Sequence, residues 1–227
     1  MRINKYLAHV GYCSRRKADE FIHAGKVVVN SNKAVLGQNV SPSDEIKVDN
    51  NLIKNKTIVS MVYALNKPKG VVSTTNDEKS RRSVVDLIKS KERLYPVGRL
   101  DKNSTGLILM TNNGDLAYQL THPKFEVEKE YEVLLNSSIE NNKIGKLISG
   151  IYYKGINYKA DRITKIVHNK YSIILHEGKN REIRKMIQAI GKEVVELRRI
   201  RIGKLELGDL KDGEYKKLTE QEIKRLI

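Results

Sequence analysis

Between residues 61 and 201 the sequence breaks into short apolar segments that outnumber its helical patterns. Strand-like runs fall at Met61–Leu65, Val71–Ser73, Gly106–Thr111, Glu130–Leu135, Asp161–Val167, Tyr171–His176 and Val194–Arg201. Helical patterns begin near Ser83, near Gly114 and at Asn180. The two kinds of segment do not alternate strictly, which argues against a doubly wound parallel sheet. The pattern predicts an α+β fold with a mainly antiparallel, mixed sheet flanked by helices. Lys67-Pro68-Lys69-Gly70 reads as a turn.

The first 50 residues form a smaller unit. Ile3, Leu7 and Val10 recur at helical spacing. Ser14 reads as the N-cap of a second helix, with Ala18, Phe21 and Ile22 as its apolar stripe and Gly25 as its stop. A hairpin follows, Val27–Val29, a turn over 30–33, then Ala34-Val35, and Ile46 and Val48 mark a last short strand. Asp49 to Ser60 is polar and rich in Asn and Lys, which reads as a linker. The predicted division is therefore 1–58 and 59–227.

Charge limits the partners. The 43 Lys and Arg against 27 Asp and Glu give +16, with a pI near 9.7. Residues 1–58 hold 10 basic and 5 acidic side chains and the remainder 33 and 22, so the charge is not a tail. Such a balance points to a polyanion, with nucleic acid first. Arg15, Arg16 and Lys17 sit in the first turn of the second helix, where cations oppose the helix dipole. Their place there points to a phosphate shared with the free amides. No run approaches the roughly 20 apolar residues of a membrane span, and the start of the chain lacks a signal-peptide pattern. The single Cys13 excludes an intramolecular disulfide framework and a multi-cysteine metal site. The expected setting is the cytoplasm, with a monomer as the default.

The common catalytic templates are absent. There is no Walker A loop, no dinucleotide fingerprint and no His-Glu-x-x-His pair. The five His, at 9, 23, 122, 168 and 176, show no metal-ligand spacing, so no metal site is expected. On spacing alone, Asp101 reads first as a turn carboxylate accepting from nearby amides. Tyr131, Val133 and Leu135 share one strand face and read as packing. Arg184 borders the apolar stripe Ile183, Met186, Ile187 and Ile190.

Two resemblances sharpen this. Asn4-Lys5-Tyr6-Leu7-Ala8, Ser14-Arg15-Arg16-Lys17-Ala18 and Gly25-Lys26-Val27-Val28-Val29-Asn30 resemble the small alpha-L RNA-binding domain of the S-four type. That resemblance implies RNA contacts by Arg15, Arg16, Lys17 and Lys26. Pro96-Val97-Gly98-Arg99-Leu100-Asp101, followed by Thr105-Gly106-Leu107, resembles the active-site motif of ribosomal RNA pseudouridine synthases of the RsuA type, leaning to the large-subunit branch. Glu128-Lys129-Glu130-Tyr131-Glu132-Val133, Gly178-Lys179-Asn180-Arg181-Glu182-Ile183-Arg184-Lys185-Met186 and Leu197-Arg198-Arg199-Ile200-Arg201-Ile202-Gly203 match further family motifs in order. One departure is Gly178-Lys179-Asn180-Arg181-Glu182, where Gly-Arg-Asn-Arg-Gln is common.

The resemblance implies isomerisation of uridine to pseudouridine in ribosomal RNA, free or in an assembly intermediate, without cofactor. It implies Asp101 as the catalytic carboxylate, as nucleophile or base, with Arg184 as its charge partner. Tyr131 would stack on the flipped-out uracil and Leu197 would wall the pocket. Arg99 would fill the gap left by the uridine or hold its phosphate, and Lys179 and Arg181 would contact RNA. The remaining alternative is a non-catalytic RNA-binding ribosome-assembly protein.

Overall fold

The computed structural model describes residues 1–54 and 59–226. They divide into two compact units, one of Met1–Ser60 with 91–93 and 112–114, the other of the rest. The predicted boundary at 58/59 touches the segment 55–58, outside the described residues.

In the smaller unit, α1 (Ile3–His9) and α2 (Arg15–His23) pack beside a four-stranded antiparallel sheet. Ser14 caps α2 as predicted, its side chain accepting from the Lys17 amide at 3.1 Å. The strands are β1 (Val27–Val29), β2 (Asn32–Lys33), β3 (Ile46–Val48) and β4 (Asn51–Leu52), in the order β2-β1-β3-β4. The hairpin turn is tighter than the sequence suggests. Asn30 and Ser31 both have positive φ, 49° and 72°, so two residues close it and strand pairing resumes at Asn32 rather than Ala34. The predicted linker starts later for the same reason. Asp49 and Asn50 form a second positive-φ pair, which turns the chain back into β4.

The larger unit is built on β5 (Val62–Lys67), β6 (Tyr95–Val97), β7 (Thr105–Thr111), β8 (Lys129–Leu135), β9 (Ile151–Tyr153), β10 (Ile156–Tyr158), β11 (Arg162–Val167), β12 (Lys170–Leu175), β13 (Val194–Ile202), β14 (Leu205–Glu206) and β15 (Tyr215–Lys217). Its helices are α3 (Gly114–Thr121), α4 (Asn141–Ser149), α5 (Glu182–Ala189) and α6 (Glu220–Lys224). The main sheet runs β11-β12-β8-β13-β7-β5-β15, with β6 on β7 and β14 on β13. Among the described pairings between these strands only β13–β7 is parallel. The fold is thus α+β with a mainly antiparallel, mixed sheet.

Strand β7 shows why its sequence is apolar throughout. Leu107 and Leu109 enter a core with α3 residues Leu116 and Leu120 on one face, while Ile108 and Met110 enter the core beneath α5 on the other. A strand covered on both faces needs no alternation. Two sequence expectations give way. Val71–Ser73 forms only an isolated bridge, Val72 to Ser83, and the helix at Ser83 is a single 3-10 turn over Val84–Leu87. The Asp86 carboxylate accepts from the Ser83 amide at 2.6 Å and caps the start of the turn, while Ile88 is already extended, with φ −114° and ψ 119°, and ends it.

Candidate active site

Strand β7 is preceded by a loop that presents Asp101, and three sets of hydrogen bonds fix that loop. Ser73 Oγ donates to the Leu100 carbonyl at 2.9 Å and accepts from the Leu100 amide at 3.2 Å. The Lys102 carbonyl accepts from the Gly70 amide at 2.8 Å and from Lys67 Nζ at 3.3 Å. The Ser104 amide donates to the Asp101 carbonyl at 3.0 Å. The backbone on both sides of the carboxylate is therefore held before any substrate arrives.

Helix α5 supplies the opposite charge. Ile183, Met186, Ile187 and Ile190 are buried, as their spacing predicts, which turns Arg184 along the core's rim. Its Nε lies 3.7 Å from Asp101 Oδ2, and its Nη1 donates to the Val194 carbonyl at 3.1 Å. Arg181 Nη1 lies at the same 3.7 Å from Oδ2. Two guanidiniums thus hold the carboxylate by charge, at a separation that leaves its oxygens short of direct hydrogen bonds. Arg184 Nε is buried and has no hydrogen-bond partner.

A cavity of about 80 Å³ opens beside Asp101, lined also by Arg99, Tyr131, Arg181 and Leu197. Tyr131 and Leu197 are buried and come from the neighbouring strands β8 and β13, whereas Arg99 is exposed. Lys179 lines the same cavity, its ammonium paired with the Glu177 carboxylate and donating to the Asn157 carbonyl at 3.0 Å. The other basic candidates lie in the smaller unit, where Arg15, Arg16, Lys17 and Lys26 are all exposed. Lys17 and Lys26 sit 5.2 and 5.9 Å from the Phe21 ring.

These positions carry a family identity. The profile described as RNA pseudouridylate synthase matches residues 61–189, and that of the S4 domain matches 1–46. The chain belongs to the RNA pseudouridylate synthase family. It is similar to the dual-specificity RNA pseudouridine synthase RluF of Escherichia coli (strain K12), 39% identical over 98% of this chain and 77% of that protein. It is 40% identical to the ribosomal large subunit pseudouridine synthase B of Bacillus subtilis (strain 168), over 99% and 95%. A crystal structure of a pseudouridylate synthase matches with a TM-score of 0.74 at 29% identity, covering 100% of both chains. The chain is accordingly an isomerase with an S4 RNA-binding domain at its start.

Several supports of the synthase site escaped sequence reading. Lys67, Gly70 and Ser73 lie in a stretch legible only as a turn and a short strand, yet all three hold the Asp101 loop. Arg199 sits in a run of basic residues that reads as surface charge, but it is buried. Its Nε donates to the Leu107 carbonyl at 2.7 Å and its guanidinium lies 6.0 Å from the Tyr131 ring. Arg201 is bound by Glu130 and Glu128 at 2.8 and 3.0 Å. A bulge between Arg199 and Arg201 shifts the register against β8, so the two arginines meet different surroundings.

Lys67 is fully buried, and burial lowers its pKa from 10.5 to about 8 against the opposing pull of Asp101. A group with a depressed folded pKa binds fewer protons folded than unfolded between those values, so its contribution to stability rises with pH there. Wild type should therefore gain on the order of 3 kcal/mol over Lys67→Met between pH 8 and 10.5. Parallel denaturant titrations at several pH values check this. A constant difference between the two proteins would rule it out.

Proposed function

We propose that the chain isomerises uridine to pseudouridine in ribosomal RNA, favouring large-subunit RNA, with Asp101 as the catalytic carboxylate. The observation that carries this is the shared cavity of Asp101, Arg99, Tyr131 and Leu197, residues from three separated motifs. Isomerisation breaks the C1′–N1 bond, joins C1′ to C5, releases the C5 hydrogen and returns a proton to N1. Nothing is oxidised or transferred from a donor, so one ionised carboxylate meets the chemical need. Two routes are open to it: attack on the sugar as nucleophile, or removal of the C2′ proton as base. Arg184 gives the carboxylate a counter-charge in a partly desolvated pocket. Tyr131 offers the uracil a stacking face and Leu197 an apolar wall.

The target base must leave its stack, at a cost of a few kcal/mol, which phosphate contacts offset. Lys179, Arg181 and Arg99 supply these beside the pocket; Arg15, Arg16, Lys17 and Lys26 supply them in the S4 domain. The ion pairs of Lys17 with Glu20 and Lys26 with Asp49 are exposed, so a phosphate displaces them at little cost. Replacing Arg15, Arg16 and Lys17 together by Ala should lower the slope of log affinity against log salt by about 2 to 3. Filter binding across a salt series measures it, and an unaltered slope removes these residues from the RNA contact.

The large-subunit preference is supported by the 40% identity to a ribosomal large subunit synthase. The protein acts as a cytoplasmic monomer on ribosomal RNA or an assembly intermediate. No described helix is long and apolar enough to cross a membrane. The test uses transcripts of both ribosomal RNAs tritiated at uridine C5. Tritium release from the large-subunit transcript is expected. Release only from the small-subunit transcript would reverse the preference, and none from either, as transcript or in assembly particles, would favour a binding protein without this activity.

A further inference from the structure

Two residues that line the Asp101 cavity each carry a buried polar atom with no use in the chemistry described so far. Ser104 is 1% exposed, and its Oγ has no hydrogen-bond partner. Glu182 is 5% exposed. Its Oε2 accepts from the Lys179 amide at 2.8 Å, but its Oε1 is unpartnered. Both residues line the same cavity as Asp101, Tyr131 and Leu197. Buried polar atoms are rarely left unsatisfied, and two in one pocket point to a ligand that completes them.

A uracil ring is that ligand if the proposed reaction takes place here, and its polar edge is one donor, N3–H, between two carbonyl acceptors. We propose that Ser104 and Glu182 read this edge, Ser104 Oγ accepting from N3–H and Glu182, as the neutral acid, donating from Oε1 to the adjacent carbonyl. The inference rests on the pseudouridine synthase reading of the site. Opposing influences bear on the protonation of Glu182. Oε2 accepts an N–H, which leaves Oε1 as the oxygen that can carry a proton. Desolvation raises its pKa, and the Glu177 carboxylate raises it further. The Lys179 amide on Oε2 opposes this, as do the Lys179 ammonium and His176, the ammonium being engaged by Glu177 and His176 lying against Asp161 at 2.7 Å. Lys129 on β8 is also buried nearby; burial lowers its pKa to about 8 while Glu182 pulls it up, so its ammonium likewise opposes the neutral acid.

The chemistry of the turn explains why two contacts suffice. Exchanging N1 for C5 as the point of attachment is a half-turn of the ring about the line through N3 and C6. That motion leaves N3–H in place and swaps O2 with O4. Ser104 therefore keeps its contact as a pivot, while Glu182 meets one carbonyl before the turn and the other after it. Substrate and product satisfy the same pair. Cytosine does not: it has a bare nitrogen at N3 and an amine where Glu182 expects an acceptor. Such mispaired buried groups reject a base strongly.

The experiment uses the full chain and the tritiated large-subunit transcript. Ser104→Ala should lower kcat/KM by 10- to 100-fold with the thermal midpoint unchanged or raised, because it deletes a polar atom that the fold leaves unsatisfied. Glu182→Gln keeps a donor in place and should retain at least ten times the activity of Glu182→Leu. A transcript with 4-thiouridine at the target weakens the acceptor. It should slow wild type about 10-fold and Glu182→Leu less than twofold. Wild-type kcat/KM in Ser104→Ala, a drop in its midpoint, equal rates for the two Glu182 variants, or equal thiouridine penalties would each overturn the inference. An inactive wild type would instead overturn the reading of the site beneath it.

Discussion

Asp101→Asn should abolish pseudouridine formation, lowering the single-turnover rate of tritium release by about 10⁴-fold or more while leaving RNA affinity within a few-fold. Asn keeps the size and shape of the side chain, so the loop held by Ser73, Lys67 and Gly70 has no reason to move. What disappears is the negative charge and with it both routes, addition to the sugar and removal of a proton. Loss of a group that acts directly on the reacting atoms typically costs four to six orders of magnitude, and 10⁴ corresponds to about 5.5 kcal/mol of transition-state stabilisation. The variant also leaves Arg184 and Arg181, each 3.7 Å away, without their shared counter-charge. Asp101 is only partly buried, so the fold should lose little by this. Undiminished release would remove Asp101 from the chemistry. Equal losses in affinity and rate would mean that it binds rather than reacts.

Gly106→Ala should prevent the larger unit from folding normally. Gly106 has φ of +98°, and a Cβ built there lies 2.2 Å from the Arg199 carbonyl oxygen and 2.7 Å from its amide nitrogen. Neither atom belongs to a movable side chain, because both are backbone of β13 where it pairs with β7. The backbone strain alone costs about 1–3 kcal/mol; forcing two central strands apart adds a comparable or larger amount. The expected total is on the order of 5 kcal/mol, much of the stability of an average domain. Gly70→Ala is the control. It also has positive φ, +89°, but no atom lies within 4 Å of the added carbon, so only the strain remains. Denaturant unfolding followed by circular dichroism compares the two. A Gly106→Ala protein as stable as Gly70→Ala would show that β7 and β13 can separate freely.

The parts of this molecule legible in its sequence are those where a repeating pattern meets a core. The stripe of α5 and the run of β7 are both buried as their spacing requires. Where polar residues dominate, the pattern fades. Helix α4 begins Asn141-Asn142-Lys143 without a side-chain cap, and only Ile144, Leu147 and Ile148 mark its inner face. The β9–β10 hairpin is closed by Lys154 and Gly155, both at positive φ, and its outer face exposes Tyr152, so alternation barely shows. At the site, the motif residues could be placed by resemblance, but their supports could not. Burial of Arg199 depends on a bulge, and the clamp of Lys67 on Lys102 spans 35 residues. Neither distance nor bulge leaves a local trace.

The one parallel strand pairing among the described residues, β13 on β7, has a consequence for the order in which the molecule forms. Hairpins such as β11–β12 close over a few residues and need no distant partner. The β7–β13 pair joins segments about 90 residues apart, as the bond from Arg199 to the Leu107 carbonyl spans 92. Its loop-closure entropy must be met before its contacts form, so it belongs to the late steps of folding. The Asp101 loop opens directly into β7 and Leu197 lies on β13, so the pocket closes with that pair. A newly made chain can thus hold most of its local structure before it can turn over a single uridine.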